Sequence, residues 1–126
     1  MIPAHFKTLI DKLIEKTDKK EAVWAKTSRD DEFKLNLEKG AVTTDNWNNS
    51  DKNGNWVDIA VINDQGDTID RINFTETSDS EDYLYLMQLH TRAKRAYFRV
   101  DETFNHIFEE LDSKKTIGKD ERGQAL

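Results

Sequence analysis

A chain of 126 residues with 25 carboxylates against 19 lysines and arginines, and a net charge of −6, fits one domain and opposes bulk attachment to nucleic acid or anionic lipid. With no cysteine, it has no disulfide framework, thiolate metal site or cysteine nucleophile, and it suits a reducing compartment. The longest apolar run, Ile59 to Ile62, is far short of the ~20 residues of a membrane helix, and the opening residues lack a secretory pattern, so the expectation is a cytoplasmic protein that no membrane holds.

Residues 3 to 20 read as an amphipathic helix. Pro3 suits its first position, and Phe6, Leu9, Ile10, Leu13, Ile14 and Thr17 share one face. Period-2 patterning then takes over. Ala22 to Thr27 is a short strand, and Phe33, Leu35 and Leu37 alternate with Lys34, Asn36 and Glu38 in a half-buried one. Lys39-Gly40 turns the chain into a weaker strand from Ala41 to Thr44. Asp45 to Asn55 is very polar, and reads as a long loop or as a strand extension closed by an Asn53-Gly54 hairpin turn. Trp56 to Asn63 is apolar on both faces, as in a strand covered twice. Asp64-Gln65-Gly66-Asp67 is a hairpin turn with Gly66 in the left-handed position, and Thr68 to Thr75 is the returning strand.

Ser78 to Leu111 reads as one long helix. Ser78 and Glu81 form a capping box, Tyr83, Leu86, His90, Ala93, Tyr97, Val100, Phe104, Ile107 and Leu111 recur at steps of three and four, and no proline or glycine interrupts. The predicted fold is α+β: an antiparallel four- to five-stranded meander sheet with an N-terminal helix and a long C-terminal helix. Residues 1–112 form the domain, and residues 113–126 form a polar, flexible tail. Such a helix is on the order of 50 Å long, whereas five strands span roughly 20–25 Å. Its C-terminal half therefore overhangs the sheet.

The opening helix ending in Lys16-Thr17, Trp24-Ala25-Lys26-Thr27, Ile62-Asn63-Asp64-Gln65-Gly66, and the capped helix with Leu86 through Arg92 and Val100-Asp101 together resemble small uncharacterised bacterial α-β(meander)-α proteins. The resemblance implies a bacterial or phage origin and brings no activity.

Several residue groups are candidate sites. Arg92, Arg95 and Arg99 share one face of the long helix, a stripe suited to an acidic partner or a small anion such as a nucleotide, or to simple pairing with neighbours such as Glu102. His90, Lys94, Tyr97 and Asp101 run down the core face. That line could form an acid–base site or ligand pocket, or Lys94 and Asp101 could pair with each other. Val100, Phe104, Ile107, Phe108 and Leu111 give the overhang more apolar surface than a free helix end should expose, so either the first helix or a second subunit is expected to cover it. Trp47, amid Asp and Asn, is a possible contact anchor.

Asn49, Asp51 and Asn53 imitate part of a calcium loop, but Ala60 stands where the bidentate carboxylate is needed. His5, His90 and His106 lie on separate elements or helix faces, so no metal site is expected, and no motif for a cofactor or for catalysis is present. The leading expectation is a non-enzymatic protein that binds another protein, of adaptor, immunity or antagonist type, and forms a homodimer. The alternative is a binder of a small anionic ligand through the basic face of the long helix.

Overall fold

The structure is a computed structural model that describes residues 1–49 and 54–120. It has the expected α+β architecture. α1 (Ala4–Asp18) buries Phe6, Ile10, Leu13 and Thr17, spaced by three and four residues. Pro3 sits one place earlier than expected. Its ψ of 148° makes it the N-cap, with the helix beginning after it.

Five strands follow: β1 (Ala25–Lys26), β2 (Glu32–Leu37), β3 (Gly40–Asn49), β4 (Gly54–Asn63) and β5 (Thr68–Thr75). They pair in chain order, each antiparallel to its neighbour. Of the two readings of Asp45 to Asn55, the strand extension is the one that forms as far as the chain is described. Cross-strand pairing supports it: Trp47 stands opposite Trp56, Asn46 Nδ2 donates to the Trp56 carbonyl at 2.8 Å, and Asn48 Nδ2 donates to Asn55 Oδ1 at 3.0 Å. Amide side chains thus extend the ladder through a stretch with few apolar residues. The β4–β5 turn is as read, with Gly66 at φ +88° and Asn63 Oδ1 accepting from the backbone of Gln65 and Asp67.

Register decides which side chains share a face. Phe33, Thr44, Ile59 and Ile72 form one row across the sheet, and Leu35, Val42 and Val61 form the next. This face meets the helices. Phe33, Leu35, Val42, Val57 and Ile59 join Phe6, Ile10 and Leu13 of α1, Trp24, and Tyr83, Leu86, Leu89 and Ala93 of α2 in one core. α1 lies beside α2, tied by the Tyr85 hydroxyl donating to Asp11 and by Arg92 on Asp18 at 2.9 Å. β4 is not covered by helices on both faces. Its second face is buried at Asp58 and Ala60 within the sheet's own surface, where Lys34, Thr43, Ala60 and Arg71 form one row. Two small residues there sit between two long ones.

The long C-terminal helix is two helices, α2 (Ser80–Tyr97) and α3 (Val100–Leu111). The break needs neither glycine nor proline. Arg99 takes φ 52° and ψ 49°, the left-handed region, where a side chain costs about 1–2 kcal/mol. Aromatic packing anchors the end of α2. Tyr97 and Phe98 both contact the ring of Phe33, at centroid distances of 5.6 and 6.1 Å, and pack edge-on to each other at 4.9 Å. Phe98 keeps right-handed helical φ and ψ as the C-cap, so the chain turns only at Arg99. The capping box is also absent. Asp79 is the N-cap without a side-chain cap, because Ser78 and Asp79 are drawn back onto Thr75, their N–H groups donating to its Oγ1 at 3.1 Å and to its carbonyl at 3.0 Å.

Candidate functional site at the α2–α3 break

The break creates a concavity. The end of α1, the segment leading to β1, the last turns of α2 and the first turn of α3 enclose a cleft of ≈ 530 Å³. Arg92, Arg95 and Arg99 all line it, so the arginine stripe read from the sequence becomes one wall of a pocket. Lys20, which the sequence reading did not single out, joins them. Its φ of 60° turns the chain after α1 and brings it across to α3. Val23, Trp24 and Tyr97 supply apolar lining, and Asp18, Asp101 and Glu102 supply negative charge.

Most of these charges are already paired. Arg92 meets Asp18 at 2.9 Å, Arg95 meets Asp101 at 3.1 Å, and Lys20 meets Glu102 at 2.9 Å and Asp101 at 3.8 Å. The Lys20–Glu102 hydrogen bond lowers the carboxyl of Glu102 and raises the amine of Lys20. Both groups face water, so such pairs contribute little to stability and exchange partners cheaply. Arg99 differs. Among the described residues no ion pair or side-chain hydrogen bond holds its guanidinium, and Glu102 feels its charge at longer range. A left-handed backbone thus holds a cation without a direct ion pair at the mouth of a cleft.

The polar line His90, Lys94, Tyr97 and Asp101 divides. His90 is buried at 1% exposure. Its Nδ1 lies 3.1 Å from Thr44 Oγ1 and its Nε2 lies 3.2 Å from Asp31 Oδ2. Lys94 pairs with the other Asp31 oxygen at 2.9 Å. The expected Lys94–Asp101 pair does not form, because the break carries Asp101 away to Arg95 and Lys20. Tyr97 is half exposed against Phe33. Asp31, not among the candidate site residues, is the residue on which His90 and Lys94 converge, and nothing in the local pattern of its turn marks it.

Hydroxyl, imidazole and carboxylate in a chain have the form of a nucleophilic relay. Here Thr44 is fully buried between sheet and helix, so no substrate atom reaches its oxygen. Burial lowers the pKa of His90, and Asp31 opposes the shift. The group is a satisfied polar core, with a neutral imidazole bridging β3 and the turn before β2.

The open face of the sheet carries a second cluster. Glu32, Asp45 and Asp58 stand opposite one another on adjacent strands, a like-charge row that is unfavourable unless compensated. Arg29 reaches Asp45 at 2.8 Å and Arg71 reaches Asp58 at 3.3 Å. Burial pushes the carboxyl of Asp58 up to about 6, Arg71 pulls it down, and Asp45 adds to the rise. Trp47 is half-buried and stacks on Trp56 at 6.2 Å with an interplanar angle of 5°.

α3 carries the remaining candidates. It buries no residue at all. Phe104, Ile107, Phe108 and Leu111 are 52, 48, 52 and 55% exposed, and Val100 is half-buried. α1 packs on α2 and not on α3, so the first of the two expected covers for the overhang is not used. Part of the calcium-like loop, including Asp51 and Asn53, lies outside the described residues, as do residues 121–126 of the tail. Among the described residues no group of three or more His, Asp or Glu is placed to hold a metal, and no helix is long and apolar enough to cross a membrane. No protein family, curated protein or solved structure matches the chain.

Proposed function

We propose that this chain acts in the cytoplasm by binding another protein, in an adaptor, immunity or antagonist role without catalysis, and that α3 is its docking element. One observation carries the reading: a twelve-residue helix presents four large apolar side chains at positions i, i+3, i+4 and i+7, each about half exposed. A solitary apolar side chain on a surface means little, whereas a continuous stripe of four on an otherwise uncovered helix matches an interaction surface. The closed Thr44–His90–Asp31 chain favours binding over catalysis. A photo-crosslinking amino acid placed at Ile107 in the native host tests the reading. The expected result is a discrete protein adduct that disappears when Phe104 and Phe108 are changed to serine. No adduct, or one indifferent to those changes, ends it.

Arg99 favours a second reading, in which the cleft takes a small anion such as a nucleotide. Nucleotides and inorganic phosphate should then raise the melting temperature of the wild type but not of Arg99→Ala. An equal shift in both removes it.

A further inference from the structure

We propose that the partner of α3 is a second copy of this chain, the two α3 helices packing antiparallel so that Asp112 of each copy enters the Arg99 cleft of the other. The inference rests on the docking role of α3 and names its occupant.

The apolar stripe is self-complementary. A two-fold interface requires a patch that matches itself when reversed. Reversing α3 about its midpoint sets Val100 against Leu111 and Phe104 against Ile107, aliphatic on aliphatic at the ends and mixed at the centre, with Phe108 against Thr103. The same register sets Arg99 against Asp112.

The charges agree with that direction. No Lys or Arg lies between Val100 and Asp112. At the N-terminal end of α3 the acids Asp101 and Glu102 are matched by Arg95 and Lys20, which leaves Arg99 over, whereas its C-terminal end carries Glu109, Glu110 and Asp112 with no basic residue in the last turn. Carboxylates there face the negative end of the helix dipole, and among the described residues none of the three has an ion pair. Antiparallel packing brings the uncompensated cation of one copy to the uncompensated acids of the other, twice per dimer. Parallel packing sets acids against acids. The general repulsion between two chains of net charge −6 is screened beyond about 10 Å at ordinary salt.

The apolar stripe supplies most of the area a weak dimer needs. Half-exposed side chains of this size each offer roughly 100 Å². Four per copy give about 800 Å² for the pair, short of the roughly 1,000 Å² that a specific interface clears, so Val100 and the flanking charged side chains must be part of the contact.

A charge-exchange experiment decides the matter. Sedimentation equilibrium of the wild type from about 1 to 300 μM should show a monomer–dimer equilibrium. Arg99→Glu and Asp112→Lys each place like charges at the contact and should weaken it at least about tenfold. An equimolar mixture of the two restores opposite charges at both contacts and should recover the dimer. Both side chains are exposed, and circular dichroism checks that each variant is folded. A wild type that stays monomeric throughout, single variants that dimerise like the wild type, or a mixture without rescue overturns the proposal. Crosslinking from Ile107 separates the two levels of the argument. An adduct with the chain itself agrees with the dimer, an adduct with a different protein alone defeats the dimer while keeping α3 as a docking element, and no adduct defeats both.

Discussion

α2 and α3 follow each other with two residues between them, and both carry apolar residues at helical spacing. α2 buries Tyr83, Leu86, Leu89, His90 and Ala93, and α3 buries nothing. The sequence pattern of α3 is the cleaner of the two, since its apolar stripe holds no ionisable residue whereas that of α2 holds His90. The difference lies in what is underneath. α2 has four strands and α1 to pack against, and α3 has left the sheet. An amphipathic pattern states that a face needs cover, and tertiary structure states whether the chain itself supplies it.

The sharpest way to break this contrast is to cut the same kind of side chain from each helix. Leu86 is fully buried, so Leu86→Ala should cost about 2–5 kcal/mol through lost burial and a residual cavity, read as a lower midpoint in urea unfolding.

Asp58 ranks second and probes the open face of the sheet against the helical one. Its folded pKa of about 6 lies above the ordinary 3.8, so the folded state holds the proton more tightly than the unfolded state. Protonation therefore favours folding. The group's contribution is present below about pH 4 and is lost as pH rises to about 6. Two units correspond to a ceiling of about 3 kcal/mol, and losing the Arg71 contact offsets part of it. Asp58→Asn should stabilise the protein by about 1–2 kcal/mol at pH 7, with the advantage gone near pH 4. A variant that parallels the wild type from pH 4 to 7 would place the carboxylate in water. His90, under the helices, runs the other way. Its pKa is lowered from 6.5, so its contribution is full above that value and declines as pH falls through it.

Arg99 comes third, at the junction of the two regions. Glycine reaches φ 52° without the penalty an L side chain incurs, so Arg99→Gly should stabilise the monomer by about 0.5–1 kcal/mol, measured at a concentration where the chain is monomeric. No gain would mean that the left-handed conformation at Arg99 carries no strain for glycine to relieve. Phe104→Ala is the smallest effect. With the side chain half in water and no protein core beneath it, the monomer should lose less than about 0.5 kcal/mol. A loss near that of Leu86→Ala would show that α3 is packed within the chain and would erase the contrast.

These magnitudes follow a division already visible in how the residues could be read. The period-2 runs at Phe33–Leu37 and Thr68–Thr75, the Gly66 turn and the α1 face are local signals, and each forms where the pattern places it. The three arginines were legible as a stripe because they are spaced for one helical face. Their meeting with Lys20 was not, since it needs the end of α1 to lie beside α2. The polar line failed for the same kind of reason. Its spacing assumed an unbroken helix, whereas the last turn of α2 is anchored on a ring 64 positions earlier, Phe33, which no window around Tyr97 contains, and the chain turns just after it. Asp31, the partner of both His90 and Lys94, stands in a turn and looks like any turn aspartate.

Taken alone, the sequence determined the α+β class, the order of helices and strands, the turns, and the excess of apolar surface between Val100 and Leu111. Those properties depend on periodicity and on the stereochemistry of a few residues, which neighbours in the chain control. Tertiary structure decided that the final helix breaks at Arg99, that the polar core closes around His90, that the arginines line a cleft, and that α1 leaves α3 uncovered. Each of these involves contacts between residues distant in sequence, which no local preference of the chain contains.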